Sequence, residues 1–201
     1  TNASICDTAG NLQFYTNGIY VANALHGLME NGEGLNPGVH AEEQGEAGRG
    51  YILGQGAIIL PVPESYKLYY LLHMDKIAFG EEGVRGSSKH LYYTLIDMAA
   101  NEGLGTVLVK NQIVLDGSLA RGKLTAVRHA NGRDWWLLIR KYASNKYYKV
   151  VVDDSSVKFA DNQEIGPAIP FVGIGQAVFS SDGSKYVEYA TLRLEEGHYL
   201  D

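Results

Sequence analysis

The stretch Ala177-Val-Phe-Ser-Ser-Asp182-Gly183-Ser-Lys-Tyr186-Val-Glu-Tyr189 decides how this chain is read: a short apolar run, an Asp-Gly pair, then a second run bearing aromatics. Asp-Gly supplies the positive φ angles of a two-residue hairpin turn, so the stretch predicts an antiparallel β-hairpin. Working outward, the same device recurs at Ala3-Ser-Ile-Cys-Asp7-Thr-Ala-Gly10-Asn-Leu-Gln-Phe14-Tyr15, at Ala57-Ile-Ile-Leu-Pro-Val-Pro-Glu-Ser-Tyr66-Lys-Leu-Tyr69-Tyr70 and at Thr125-Ala-Val-Arg-His-Ala-Asn131-Gly132-Arg-Asp-Trp135-Trp136. The intervals are irregular, but each is long enough for a further pair of strands.

The other strands follow from pattern and punctuation. Residues 3–29 predict three short strands, with Asn17-Gly18 as a turn before the third. Glycine and glutamate dominate 30–56, which predicts a long loop, and only 22–29 carries a trace of helical periodicity. A second unit predicts strands at 57–61, 67–74, 90–98 and 106–115, with a protruding hairpin tip within 79–88 and a turn at 101–105. A third predicts strands at 123–128, 134–142, 147–153 and near 157–165. The connector 166–170 leads to Gly173-Ile-Gly175, where glycines ahead of a strand let neighbouring sheets approach closely. Residues 197–201 read as the start of another strand. The expected fold is all-β: a β-propeller of four-stranded antiparallel blades, incomplete, with about four hairpin units in 201 residues.

No linker divides the chain, so it reads as one continuous array. Its 45% hydrophobic and 20% charged residues exclude wholesale disorder, and 14 Tyr against 5 Phe suits sheet that is apolar on one side and wet on the other. With a net charge of -6 and scattered lysines and arginines, the footprint of a nucleic-acid binder is missing. Apolar runs are far shorter than a membrane span, so membrane insertion is not expected. The single cysteine, Cys6, has no partner for an internal disulfide and reads as a small buried strand residue. Thr1 is not an initiator methionine, and with the interrupted pattern at 197–201 it suggests a segment of something longer.

Motifs that carry chemistry are absent. His26, His40, His73, His90, His129 and His198 show no metal-ligand spacing, and Asp153-Asp154 and Asp161-Asn162 lack the ligand order of a calcium loop. Ser180-Ser-Asp182-Gly183 fails as a sialidase Asp-box, because Asp182 abuts Gly183. Gly54-x-Gly56 and Gly173-x-Gly175 lack the rest of a dinucleotide fingerprint. The sequence therefore names no catalytic residue, no metal ligand and no cofactor, and leaves the binding residues unknown. Glycosidase carboxylate pairs are defined in space and stay open. Trp135-Trp136 and the Tyr-Tyr pairs at 69–70, 92–93 and 147–148 could stack on sugars, but alternation puts the members of each pair on opposite faces, and packing is their expected role. The Gly/Glu-rich stretch 30–50 is a candidate for contact with a partner.

The run Ala3-Ser-Ile-Cys-Asp-x-x-Gly-Asn-Leu-x-Phe-Tyr-Thr-Asn-Gly18, with His26, Met29-Glu-Asn-Gly32, Leu124-Thr-Ala-Val-Arg-His-Ala-Asn-Gly-Arg-Asp-Trp135-Trp136 and Phe179-Ser-Ser-Asp-Gly-Ser-Lys185, resembles the N-terminal WD40-like propeller of large secreted or cell-surface proteins of Bacteroidetes-type bacteria. Such proteins often end in a type IX secretion sorting domain or a gliding-motility-associated domain. Ser181 stands where that family's turn usually has proline. The resemblance implies export to the bacterial surface and a non-catalytic module for adhesion, surface assembly or secretion-linked motility. Its partner would be a protein or surface glycan, or other chains of a larger assembly. The alternatives are a propeller enzyme acting on extracellular glycans and a subunit-like segment whose open edge another chain covers.

Overall fold

The computed structural model describes residues 1–77, 87–169, 175–190, 192–193 and 199–200, and in it the chain runs through consecutive antiparallel meanders. Sheet A holds β1 (Ala3–Cys6), β2 (Leu12–Thr16) and β3 (Val21–Asn23), and the helix α1 (Val39–Glu46) follows it. Sheet B holds β4 (Ala57–Pro61), β5 (Leu68–Met74), β6 (Ser88–Asp97) and β7 (Thr106–Leu119), side by side in chain order. Sheet C repeats the plan with β8 (Ala126–Arg128), β9 (Trp135–Arg140), β10 (Lys146–Val152) and β11 (Val157–Glu164). Sheet D is the hairpin β12 (Gly175–Phe179) and β13 (Tyr186–Ala190), and β14 (Leu192–Arg193) pairs with β15 (Tyr199–Leu200). The fold is all-β but for α1 and a 3-10 turn at Asn101–Gly103, and no sheet among the described residues closes on itself. No described helix is long and apolar enough to cross a membrane.

Strand alternation explains how the sheets stack. Side chains on a strand point alternately to its two faces, so a strand with apolar residues at successive positions needs a covering layer on each side. β4 and β5 are such strands. Ile59, Leu71 and Ile96 join Phe14 and Val21 of sheet A in one buried cluster. Their neighbours Leu60, Tyr70, Leu72 and Leu91 join Leu137, Ile139 and Val150 of sheet C in another. Sheet B is therefore packed on both faces, and the first strands of successive sheets neighbour one another, β1 beside β4 and β12 beside β8. Ile96 is fully buried. Replacing it with valine removes one methylene from a filled site, and the urea midpoint should report a loss of about 1 kcal/mol.

The turns depart from the sequence expectation in an instructive way. Asp182-Gly183 does not form a two-residue turn. Instead Ser180 N–H donates to Lys185 O at 2.9 Å and Gly183 N–H donates to Ser180 O at 2.9 Å, giving a four-residue loop. Gly183 alone takes the left-handed conformation, at φ 70, and the Asp182 carboxylate accepts from Ser184 N–H instead. The β8–β9 loop is the same object: His129 N–H donates to Asp134 O, Gly132 N–H to His129 O, and Gly132 has φ 74. A side-chain oxygen that caps its own turn, from Asp182 in one loop and the Asn131 amide in the other, makes the longer loop competitive with the two-residue one.

Other expectations change too. The stretch 30–56 is not all loop. It carries α1, whose start at Gly38 lacks a side-chain cap and whose glycine- and glutamate-rich sequence hid the helix. Residues 22–29 are not helical: β3 ends there and the chain turns with His26 at φ 64. Cys6 is exposed, because the register shifts after Ile5 and the outer face of β1 is left uncovered. The expected hairpin tip at 79–88 lies outside the described residues except for Ser87 and Ser88, as do Gly173, Gly197, His198 and Asp201.

Candidate binding groove

The turns that close β1–β2, β4–β5 and β8–β9 gather at one end of the stack around an open groove of about 530 Å³. Asp7, Pro63, Glu64, Tyr66, Tyr69 and Arg128 form much of its wall. Local chemistry fixes each turn before any ligand arrives. Asp7 Oδ1 accepts the N–H groups of Ala9 and Asn11 at 2.9 and 2.8 Å, and Oδ2 accepts the Asn11 side-chain amide at 3.0 Å. These bonds, the Asn11 amide first, hold the Asp7 carboxyl below the usual carboxylate range. Arg133 joins three turns: its Nε donates to Asp134 Oδ1 at 2.8 Å, and Nη1 lies 3.9 Å from Glu64 and 3.8 Å from Asp154.

Aromatic side chains divide between wall and platform. Trp135 holds two lining residues in place: its Nε1–H donates to Pro61 O at 3.2 Å, and the Arg128 guanidinium lies 3.7 Å above its ring. Trp136 points to the other face, where it stacks on His129. Tyr69 packs edge-on against Phe14 while Tyr70 meets Tyr93 across the sheet, so that pair splits between two faces as alternation requires, and so do Tyr92 and Tyr93. Tyr66, 95% exposed, is the platform. It lies in the β4–β5 turn with its ring in water. Its exposure on the rim of the groove makes Tyr66 the candidate contact residue.

A second polar centre lies at the opposite ends of β5 and β6. Asp75 Oδ1 accepts Lys89 N–H at 2.7 Å and His90 N–H at 3.0 Å, and Oδ2 lies 2.5 Å from His90 Nδ1. The carboxylate thus fixes the ring with Nδ1 protonated, leaving Nε2 toward Asp116 at 3.7 Å. The Tyr92 hydroxyl lies 2.8 Å from Nδ1, and burial, then the charges of Asp75 and Asp116, raise its pKa, so it keeps its proton for the Asp75 carboxylate, since Nδ1 already bears one. These groups border a cavity of about 180 Å³ with Lys76 and Tyr51. A carboxylate–imidazole pair is a candidate base, yet among the described residues no serine, threonine or cysteine lines the cavity to serve as its nucleophile.

Of the histidines weighed from the sequence, His73 is a core group. Its Nδ1 lies 2.7 Å from Asn36 Oδ1 and its Nε2 2.9 Å from Thr94 Oγ1. Because Asn36 Nδ2 donates to Gly18 O at 3.0 Å, its Oδ1 is the acceptor, so Nδ1 carries the proton and Nε2 accepts from Thr94. His40 meets Tyr51 edge-on and shares the 180 Å³ cavity with His90, His26 lies tilted against Tyr15, His198 lies outside the described residues, and no cluster of three metal-type ligands occurs among the described residues. The stretch 30–50 contributes Pro37, Gly38 and His40 to the 180 Å³ cavity and nothing to the groove. Sequence reading missed Tyr66 and Arg128. An aromatic between Ser65 and Lys67, inside a proline-bearing turn, was the available signal. Comparisons with known protein families, curated proteins and solved structures found no match to this chain.

Proposed function

We propose that the chain is a non-catalytic binding and scaffold module, an incomplete propeller whose stacked four-stranded sheets are blades, and that the groove at its turn end holds the partner, a protein or surface glycan. Its place would be an exported bacterial surface protein, as the sequence resemblance implies. The observation that carries the binding reading is Tyr66, 95% exposed on turns rigidified by their own side chains. A preorganised rim loses little conformational entropy on binding. Asp7, held ionised, is poorly suited to donate a proton, which weighs against a glycosidase acid at this groove.

The test is co-sedimentation of the purified chain with insoluble glycans and with bacterial surface extracts. Tyr66→Ala should reduce the bound fraction at least tenfold while shifting Tm by less than about 2 °C, since a surface change off the core costs little. Undiminished binding by the variant, or release of sugar from the glycans, would count against the proposal. The larger-assembly reading has its own support: Val178, Val187 and Tyr189 share the outer face of sheet D and are 59%, 62% and 48% exposed.

A further inference from the structure

Behind sheet D, four elements bring charge into a shielded junction. β9 ends in Arg140, Lys123 precedes β8 at φ 63, β10 contributes Tyr147, and β13 contributes Tyr186 and Glu188. Glu188 Oε1 accepts from Lys123 Nζ at 2.8 Å and from Arg140 Nη2 at 2.5 Å, while Oε2 accepts the hydroxyls of Tyr147 and Tyr186 at 3.3 Å each. The side chains of Lys123, Arg140 and Glu188 are 4%, 2% and 8% exposed. One carboxylate therefore serves two cations. Arg140 Nε and Nη1 are shielded from water and have no hydrogen-bond partner among the described residues.

Such an imbalance is unusual. A guanidinium that has given up its hydration shell is costly unless each edge of its fork is used, and a buried surplus charge costs more than an unmade neutral hydrogen bond. Lys123 responds to the crowding: burial, and then the charges of Arg140 and Arg121 against the opposing pull of Glu188, lower its pKa. Nothing acidic other than Glu188 is paired with this group among the described residues.

We propose that the junction of sheets C and D binds a further oxyanion, held on the edge of the Arg140 guanidinium that Glu188 leaves open, by the second hydrogen of Nη2 together with an unpartnered Nε–H or Nη1–H, and neutralised together with Lys123. A carboxylate, sulfate or phosphate matches the donors, because each edge of a guanidinium, Nε–H with Nη2–H or Nη1–H with Nη2–H, presents two N–H groups to two oxygens. Two sources supply that chemistry: a free anion, or an Asp or Glu side chain from an adjoining segment or chain. The β12–β13 hairpin covers the junction, resting on sheet C through the Glu188 contacts and on the segment entering β4 through the Gln55 side chain, which holds Ala177 N–H and Ala177 O at 2.8 Å each, while its outer face is open.

The experiment is thermal unfolding at constant ionic strength, with chloride replaced stepwise by phosphate or by acetate, for the wild-type chain, Arg140→Met and Glu188→Gln. The wild type should show a saturable rise in Tm that Arg140→Met lacks. Glu188→Gln, which frees Arg140 Nη2 and removes the competing carboxylate, should bind the anion at least threefold more tightly. It also serves if Arg140→Met does not fold. In Glu188→Gln, carbodiimide coupling of Lys123 to an Asp or Glu, mapped by mass spectrometry, would assign the anion to a side chain, whereas saturable stabilisation by phosphate or acetate would assign it to a free anion. Equal, unsaturating stabilisation of all three proteins with no coupling at Lys123 would overturn the proposal.

Discussion

Lowering the pH from 7 to 4.5 should remove roughly 2.5 kcal/mol of folding stability through His73 alone. The imidazole is wholly buried, and desolvation lowers its pKa from 6.5 to about 3. The sign follows from which state binds the proton. Below pH 6.5 the unfolded chain takes up a proton that the folded chain refuses until about pH 3, so the stability present above 6.5 falls across that window by up to about 1.4 kcal/mol per pH unit. Burial explains the refusal, and a second ring proton at Nε2 would also cost the buried hydrogen bond that Thr94 Oγ1 donates there. Urea melts at pH 7, 5.5 and 4.5 measure the slope, with His73→Gln as the control that lacks this titration. The same slope in both proteins would sink the assignment. Should the variant not fold, the wild-type His73 ring resonance must stay at its neutral shift down to pH 4.5.

Gly122→Ala should cost more, about 4 kcal/mol or above, and abolish cooperative unfolding of the stack. Gly122 has φ 68, and a Cβ there would stand 1.9 Å from the Gly54 carbonyl oxygen. Neither atom can yield, because both are main chain at the point where the segments entering sheets B and C cross. Leu124 N–H donates to Gln55 O at 2.9 Å just beyond, locking that crossing. Gly10→Ala separates the two penalties. Gly10 has φ 86 with nothing within 4 Å of an added Cβ, so it should show only the left-handed cost of about 1 kcal/mol. Equal losses at the two positions would mean that the close approach contributes nothing.

These two residues also show what the chain discloses before it is folded. Strands could be placed to within about four residues in sheets B and C, because period-two patterns and β-branched or aromatic runs are local, and 57–61 matches β4 without change. Sheet pairing followed from short connections. What stayed hidden was contact at long sequence separation. Nothing local says that Gly122 meets Gly54, that His73 reaches Asn36, or that Glu188 takes Arg140 and Lys123, since each pair is brought together by stacking rather than by pairing. The helix α1 escaped for a different reason: its stability rests on docking His40 and Ala41 into the core, not on propensity. The groove was half legible. Its turns were recognised from Asp, Asn and Gly, but which of them share one end depends on how successive sheets are superposed.

Sheets A, B and C are each a run of neighbours in sequence, so every ladder within them joins segments one connection apart. On a ribosome, that arrangement lets the chain settle as it emerges. Sheet A can finish its hydrogen bonds before β7 has left the exit tunnel, and sheet B gains its second cover when the last strand of sheet C arrives. Growth proceeds by addition at one end, and each completed sheet becomes the template on which the next one condenses. A nascent chain halted between sheets would present one bare apolar face to a chaperone, with everything upstream already in its final register.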